Sequence, residues 1–379
     1  MPGFSFLKDS KPKSGLFLKD NKITYLAKLE LMCSFHVTTP LSMNKIYKPI
    51  TILLLSIAGI NQTSFAQEEI LKGSLKDANY LLEGYITPIM YGIGNGLNQG
   101  WYNTGKVHKT LGFDLTISAT LVYVPTGDQF YQVDNNRLEE VKLVSYDGQQ
   151  VSATATTNVP TIFGPDKEPS YQVGSNDPFK GPPGLDLKNR IKIANALPVP
   201  MYQLGIGLPK GFELKARYAP TLTTGDSKFS LFGLGVMHDV KQYIPGVKAL
   251  PFDLSAFVGY TNMKAEQKLD VTGGQNQRAE VSFSSTTIQA LISKKISVLT
   301  VYGSVGYNIA KSNLGMKGMY DLDDNGTPEA TDPINLDFST SSARATGGIR
   351  LKFAVFTLHA DYTLANYKTL NAGFGINVR

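Results

Sequence analysis

The sequence predicts an all-β fold: an antiparallel transmembrane β-barrel of 12 to 14 strands, preceded by an N-terminal amphipathic helix. Three observations carry this reading. Residues 349–379 alternate with a period of two, with Ile349, Leu351 and Phe353 opposing Arg350 and Lys352. Further on, Leu370, Ala372, Phe374, Ile376 and Val378 oppose Asn371, Gly373, Gly375 and Asn377. Side chains of a strand point alternately to its two faces, so each strand has one apolar and one polar face, as lipid outside and a polar lumen inside require. The second observation is a secretory leader. The third is a run of links between strands that are mostly short on one side and mostly long on the other, the pattern of periplasmic turns and outer loops.

The leader starts at Met43, with Lys45 and Lys48 ahead of an apolar run at 50–60 and a small-x-small cleavage site at Ser64-Phe65-Ala66. That apolar run is too short to cross a bilayer as a helix. Residues 1–42 show no periodicity and read as a leader mis-called upstream of the true start. The predicted organisation is therefore 1–42 mis-called leader, 43–66 signal peptide, 67–106 helix and glycine-rich plug segment, and 107–379 barrel. Residues 1–66 carry 8 of the 37 basic and 3 of the 31 acidic residues, so 29 and 28 remain, a net charge of +1. The basic balance of the whole chain thus belongs to the leader, and nothing in the remainder calls for nucleic acid. The single cysteine, Cys33, also falls in the leader. Neither a disulfide framework nor a thiolate metal site is expected.

Taken in order, residues 74–93 place Ala78, Leu81, Leu82, Tyr85, Ile86, Ile89 and Met90 at spacings of three and four, which predicts a helix. Pro88 is expected to bend or end it. Gly92, Gly94, Gly96 and Gly100 form a small-residue stretch leading to Trp101. A first strand follows over 111–123. A weaker pair is read at 139–145 and 150–157, with Asp147-Gly148 as the turn between them. Within the Pro- and Gly-rich tract 158–200, residues 185–197 fit either a hairpin or a short helix. Regular strands are predicted at 201–208, 212–220, 229–238, 252–262, 281–293 and 297–310, followed by three at the C-terminus. Their length of about nine to eleven residues suits tilted membrane strands. Tyr202, Tyr218, Tyr260, Tyr302, Tyr307 and Tyr362 are expected to form an interfacial aromatic belt.

Three segments also carry a resemblance: the signal ahead of Gln67, the stretch 96–104 leading into Gly112-Phe113-Asp114-Leu115-Thr116, and the closing residues 373–379. On these the chain resembles the outer-membrane β-barrel proteins of Gram-negative bacteria, in particular an uncharacterised family of them. Its helix and glycine segment ahead of a barrel is similar to the long-chain fatty-acid transporters, whose N-terminal hatch occludes the barrel. The resemblance implies location in the outer membrane, contact with its lipid, and assembly by the barrel insertion machinery. The usual assembly signal ends in an aromatic residue, and this chain departs from it with Arg379.

The sharpest local motif is acidic. Asp321, Asp323, Asn325, Thr327 through its carbonyl, and Asp332 present oxygens at positions of a calcium loop with Gly326 sixth, so calcium is the expected ion. A solvated loop of Asx turns is the other reading. His359 and Asp361 share a lumen face and resemble a general-base pair, but such pairs belong more often to a polar network. No nucleophile setting, H-E-x-x-H or phosphate loop is found, so no enzyme is expected. Read by phase, the lumen charges are near balance, which predicts salt bridges across a narrow lumen. The expected function is the passage or binding of a hydrophobic or small solute, with the helix in or under the lumen. The alternative is a structural or interaction barrel that displays long outer loops to a partner.

Overall fold

The computed structural model describes residues 74–191, 195–269, 275–321, 326–328 and 330–378. The leader, the signal peptide, Asp323, Asn325 and Arg379 lie outside the described residues. The chain starts with helix α1 (Leu75–Leu97), capped by the Ser74 hydroxyl, which accepts from the Lys76 N–H. Strand β1 (Phe113–Tyr123) follows. Six short strands come next: β2 (Phe130–Asp134), β3 (Val141–Tyr146), β4 (Gln149–Gln150), β5 (Thr156–Pro160), β6 (Ser170–Val173) and β7 (Phe179–Lys180). After a short helix α2 (Leu187–Ile191) come β8 (Ala196–Leu208), β9 (Phe212–Thr224), β10 (Ser227–Asp239), β11 (Asp253–Lys268) and β12 (Gln275–Ile296). The chain finishes with β13 (Leu299–Tyr320), the two-residue β14 (Ala330–Thr331), β15 (Ile334–Phe353), β16 (Phe356–Leu364) and β17 (Thr369–Val378).

Ten strands close a ring. The order is β1, β8, β9, β10, β11, β12, β13, β15, β16, β17 and back to β1, with every neighbour antiparallel. Ten replaces the expected 12 to 14, because the weak pair at 139–157 forms no part of the wall. It contributes instead to a cap built from the β1–β8 link, with β2 and β5 in one small sheet and β4, β3, β6 and β7 in another. The tract 185–197 resolves into α2 and the start of β8. The early part of β8 contains Pro198 and Pro200, which a doubly paired strand would not tolerate. There β8 pairs with β1 alone, since its ladder to β9 begins only at Leu204.

The wall is inverted relative to a soluble protein. In β1, Phe113, Leu115 and Ile117 are exposed at 42–46 %, whereas Asp114, Thr116, Ser118 and Thr120 are buried. The same inversion recurs in β13, with Val301, Val305 and Tyr307 outward and Thr300, Ser304 and Asn308 inward. Continuous apolar surface of this kind is not left to water by soluble monomers. Tyr218, Tyr260, Tyr307 and Tyr362 lie on the outside as expected. Tyr302 does not: it points inward, where its hydroxyl donates to Asp361 at 2.9 Å.

One end of the ring, the turn end, carries the links at 209–211, 240–252, 297–298 and 354–355. The other, the loop end, carries the cap and the links at 225–226, 269–274, 321–333 and 365–368. Much of what reads as long loop is strand. β12 and β13 stay hydrogen-bonded from Ile296–Leu299 out to Gln275–Met319, well past the apolar stretch. Ladder bonds are made by the backbone and persist where side-chain alternation has faded. Likewise β9 and β10 meet in a tight hairpin through Gly225, at φ +58°, where a longer loop was expected.

Candidate functional site: the sealed lumen

Helix α1 starts in the cap and ends in the barrel. Near its start, Asp77 is fully buried and accepts the backbone N–H groups of Glu139, Glu140 and Val141 at 2.8–3.0 Å, fastening the helix to β3. Leu81 joins the apolar core of the cap with Val133, Leu138, Val141, Leu143, Val159 and Tyr171. Burial pushes the Tyr131 and Tyr171 phenols well up, so both stay protonated and share a 3.4 Å contact. The helix passes Pro88 and continues to Leu97 rather than ending. The Tyr131 ring packs over Gly84, the residue whose carbonyl Pro88 leaves without its helical donor, so tertiary packing supports the helix there.

From Gly94 onward the segment lies against the inner wall. Ser285 Oγ donates to Gly94 O at 2.9 Å, Gln203 Nε2 to Trp101 O at 3.0 Å, and Ser255 Oγ to Gly105 O at 2.6 Å. Gly100 turns the chain at φ +71°, a left-handed conformation, and a Cβ there would sit 2.8 Å from Ser118 Oγ. Trp101 packs on Phe257 at a ring-centroid distance of 5.5 Å, in a space left by Gly235 and Gly259. Leu97, Asn98, Gln99 and Trp101 are each no more than 1 % exposed. The segment leaves the barrel at the turn end, where Leu111 N–H donates to Gly207 O, and reverses into β1. The strands thus start and finish at the turn end, while residue 74 lies at the opposite end, in the cap.

Two arginines of the wall grip this segment where the helix ends. Arg217 of β9 donates from Nη1 to Leu97 O at 2.8 Å, from Nη2 to Gln99 O at 2.5 Å, and from Nε to Gln203 Oε1 at 3.2 Å. Its guanidinium lies 3.6 Å from the centroid of the Trp101 ring. Arg344 of β15 donates from Nη1 to Asn98 O at 3.0 Å and from Nη2 to Gln99 Oε1 at 2.6 Å. The last carbonyls of a helix lack intrahelical donors and carry the negative end of its dipole, so two cations complete it. Charge-assisted bonds of this kind are roughly twice as strong as neutral ones.

Neither arginine forms a salt bridge among the described residues, so the expected cross-lumen ion pairs are replaced here by arginine-to-carbonyl bonds. The partner of a buried guanidinium need only be a well-placed acceptor, and the threaded backbone supplies three. Ion pairs do form nearer the turn end. There Lys215 reaches Glu213 and lies 3.8 Å from Asp114, while His108 Nδ1 lies 2.8 Å from Glu213.

His359 and Asp361 form no dyad. Asp361 accepts from Tyr302 and Asn371, both at 2.9 Å, and neither nitrogen of His359 has a hydrogen-bond partner among the described residues. Of the predicted ion ligands, Asp321 accepts from the Gly326 N–H at 2.6 Å, closing the loop locally. Asp332 is turned to β13, accepting from Gly318 N at 2.8 Å and Lys317 Nζ at 3.2 Å. Sequence reading missed Arg344, since the residues just before it read as loop; the inward phase of Arg350, extended three periods of alternation earlier along β15, would have found it.

The model of a family of unknown function, DUF6588, matches residues 43–378. The chain belongs to that family. No curated protein matches it. Among solved structures, the DUF6588 chain is similar to Ail, the attachment invasion locus protein of Yersinia pestis, with 9 % identity over 71 % of this chain and 98 % of that one at a TM-score of 0.24. It is similar to the translocator domain of the autotransporter NalP from Neisseria meningitidis, with 11 % identity over 77 % and 93 % at a TM-score of 0.27. A FadL homologue of Pseudomonas aeruginosa matches with 11 % identity over 70 % and 90 % at a TM-score of 0.20. These likenesses are remote, and nothing about the activity of this chain follows from them.

Proposed function

We propose that this DUF6588 protein is an outer-membrane barrel, sealed by its own N-terminal segment, that presents its folded cap to a partner outside the cell. The observation that carries the reading is the occupied lumen: the stretch from Gly94 to Gly105 is hydrogen-bonded to the wall at both ends and gripped by Arg217 and Arg344 between them. The apolar outer face supports insertion in lipid. Short turns belong on the periplasmic side of such barrels and elaborate connections on the outer side, which supports an outward cap. The cap offers a cleft of about 310 Å³ lined by Tyr146, Asp147, Gln149, Gln150, Val151 and Ser152.

A second reading, passage of a small solute once the segment moves, is favoured by one observation. The two arginines hold the segment through neutral carbonyls and an amide oxygen, which an anionic group on a solute would replace with stronger bonds.

The one cysteine of the natural chain, Cys33, falls in the expected leader, so a cysteine introduced in the cap is the only thiol once that leader is removed. A Gln149→Cys variant, labelled on intact cells with a membrane-impermeant maleimide, is expected to react at the cell surface, and the intact protein in planar bilayers is expected to show almost no conductance. Labelling only after permeabilisation overturns the outward cap. Release of the protein by carbonate washing overturns membrane insertion, and a steady large conductance overturns the seal.

A further inference from the structure

We propose that His108, Asp114 and Glu213 form a binding site for a divalent transition-metal ion of the zinc class, which staples the lumen segment to two strands of the wall. The three side chains come from different parts of the chain: His108 from the segment just before β1, Asp114 from β1 and Glu213 from β9. One ligand atom from each lies within 4.8 Å of the other two. His108 Nδ1 is 2.8 Å from Glu213 Oε2 and 3.8 Å from Asp114 Oδ1. Ligands about 2.1 Å from a tetrahedral zinc stand roughly 3.4 Å apart, between these two separations.

Two further observations fit a bound cation. Asp114 is 5 % exposed, and its Oδ1 has no hydrogen-bond partner, while His108 Nδ1 stands 2.8 Å from Glu213 Oε2, an oxygen that also accepts from the His108 backbone N–H at 3.0 Å. A buried acceptor without a donor is costly, and this one faces the imidazole and the second carboxylate. The two carboxylates are also held from behind, as ligands of a metal usually are. Asp114 Oδ2 accepts from Thr116 Oγ1 at 2.9 Å, and Glu213 Oε1 takes the Lys215 ammonium. Gly205 leaves the room: a Cβ there would lie 2.3 Å from Asp114 Oδ1 and 3.1 Å from Glu213 Oε1.

Lys215 is the competitor for this place. Its ammonium binds the far oxygen of Glu213 and stands 3.8 Å from Asp114 Oδ1, so an ion and the ammonium share two carboxylates. The imidazole gives the ion an advantage, because a neutral ring nitrogen is a good ligand for a zinc-class metal. Calcium and magnesium prefer all-oxygen sites and are not expected to bind here.

The experiment titrates the full chain, purified in detergent and stripped with chelator, with Co²⁺ followed by its visible d–d absorption, and with Zn²⁺ by calorimetry. One Co²⁺ per chain is expected, displaced by Zn²⁺ but not by Ca²⁺ or Mg²⁺. His108→Gln lies outside the strand ladder and leaves the wall intact; it and Asp114→Asn are each expected to weaken Co²⁺ binding at least tenfold. Thr116→Val, which touches the ion only through Asp114, is expected to weaken it about tenfold, and Lys215→Met to tighten it. Heat-modifiable gel mobility checks that each variant is a folded barrel. The proposal is overturned if the natural chain binds no Co²⁺, if binding persists unchanged in both His108→Gln and Asp114→Asn, or if it appears only in Lys215→Met.

Discussion

The cap and the wall are built from the same chain with opposite rules. In the cap, Val133, Val141, Leu143 and Val159 are at most 1 % exposed, and charged groups such as Glu139 and Lys167 face outward. In the wall, Leu115, Ile288 and Val305 face outward, while Arg217, Glu213, Thr287 and Asn371 are enclosed. Helix α1 belongs to both, offering Leu81 to the cap core and its polar, glycine-rich end to the lumen. The difference is what the proposed insertion in lipid requires. Water outside the cap drives apolar groups inward, whereas a wall that faces lipid gains nothing by hiding them and must satisfy its polar groups within.

This comparison is broken most severely by exchanging the rules. Leu143→Asp places an unpaired carboxylate in the cap core, where an unsatisfied charge costs more than about 4 kcal/mol. The cap is expected to open and be cut by protease within 124–195, while the barrel keeps its heat-modifiable mobility. Loss of both together would show that cap and wall fold as one cooperative unit.

A smaller effect is expected on the other side. Val305, 63 % exposed and outward on β13, becomes a charge in lipid in Val305→Arg. Such a change at the bilayer midplane destabilises a barrel by about 2–4 kcal/mol. Reversible unfolding from lipid vesicles measures it, and an unchanged midpoint would mean that this face does not contact hydrocarbon. The same charge placed on an exposed cap position such as Gln150 is expected to be neutral.

The smallest effect sharpens the boundary between helix and cap. The Lys76 ammonium beside Glu139 holds that carboxyl below its ordinary value of 4.5, with the Ser74 hydroxyl adding to the shift. A lowered folded-state value contributes stability that is fully present above pH 4.5 and is lost as the pH falls through the folded value. Because both groups are exposed, screening makes the contribution slight. Hydrogen exchange at residues 75–79 is therefore expected to quicken modestly below pH 4.5, and Glu139→Gln to remove that pH dependence. Identical pH profiles for the two proteins would mean that the pair contributes nothing.

The sequence by itself determined the fold class, the outward and inward faces of the strands, and the presence of a helix and glycine segment ahead of the first strand. The faces follow from periodicity, which is local, since Leu115 and Thr116 declare theirs by adjacency alone, while the choice of a barrel rests also on the leader and the alternation of short and long links. Only the tertiary structure decided that ten strands close the ring, because whether 139–157 joins the wall depends on which backbone it pairs with. Only the structure showed that the strands run on past their apolar stretch, since ladder bonds do not depend on side-chain polarity. The lumen site was legible in part, as Arg217, Asp114 and Glu213 have the inward phase. Their partners were not, because His108 lies beyond any strand, and the acceptors of Arg217 and Arg344 are mostly backbone carbonyls. A carbonyl is the same at every residue, so no sequence signal marks which ones a buried cation will find; the threading of residues 94–108 through the ring sets that choice.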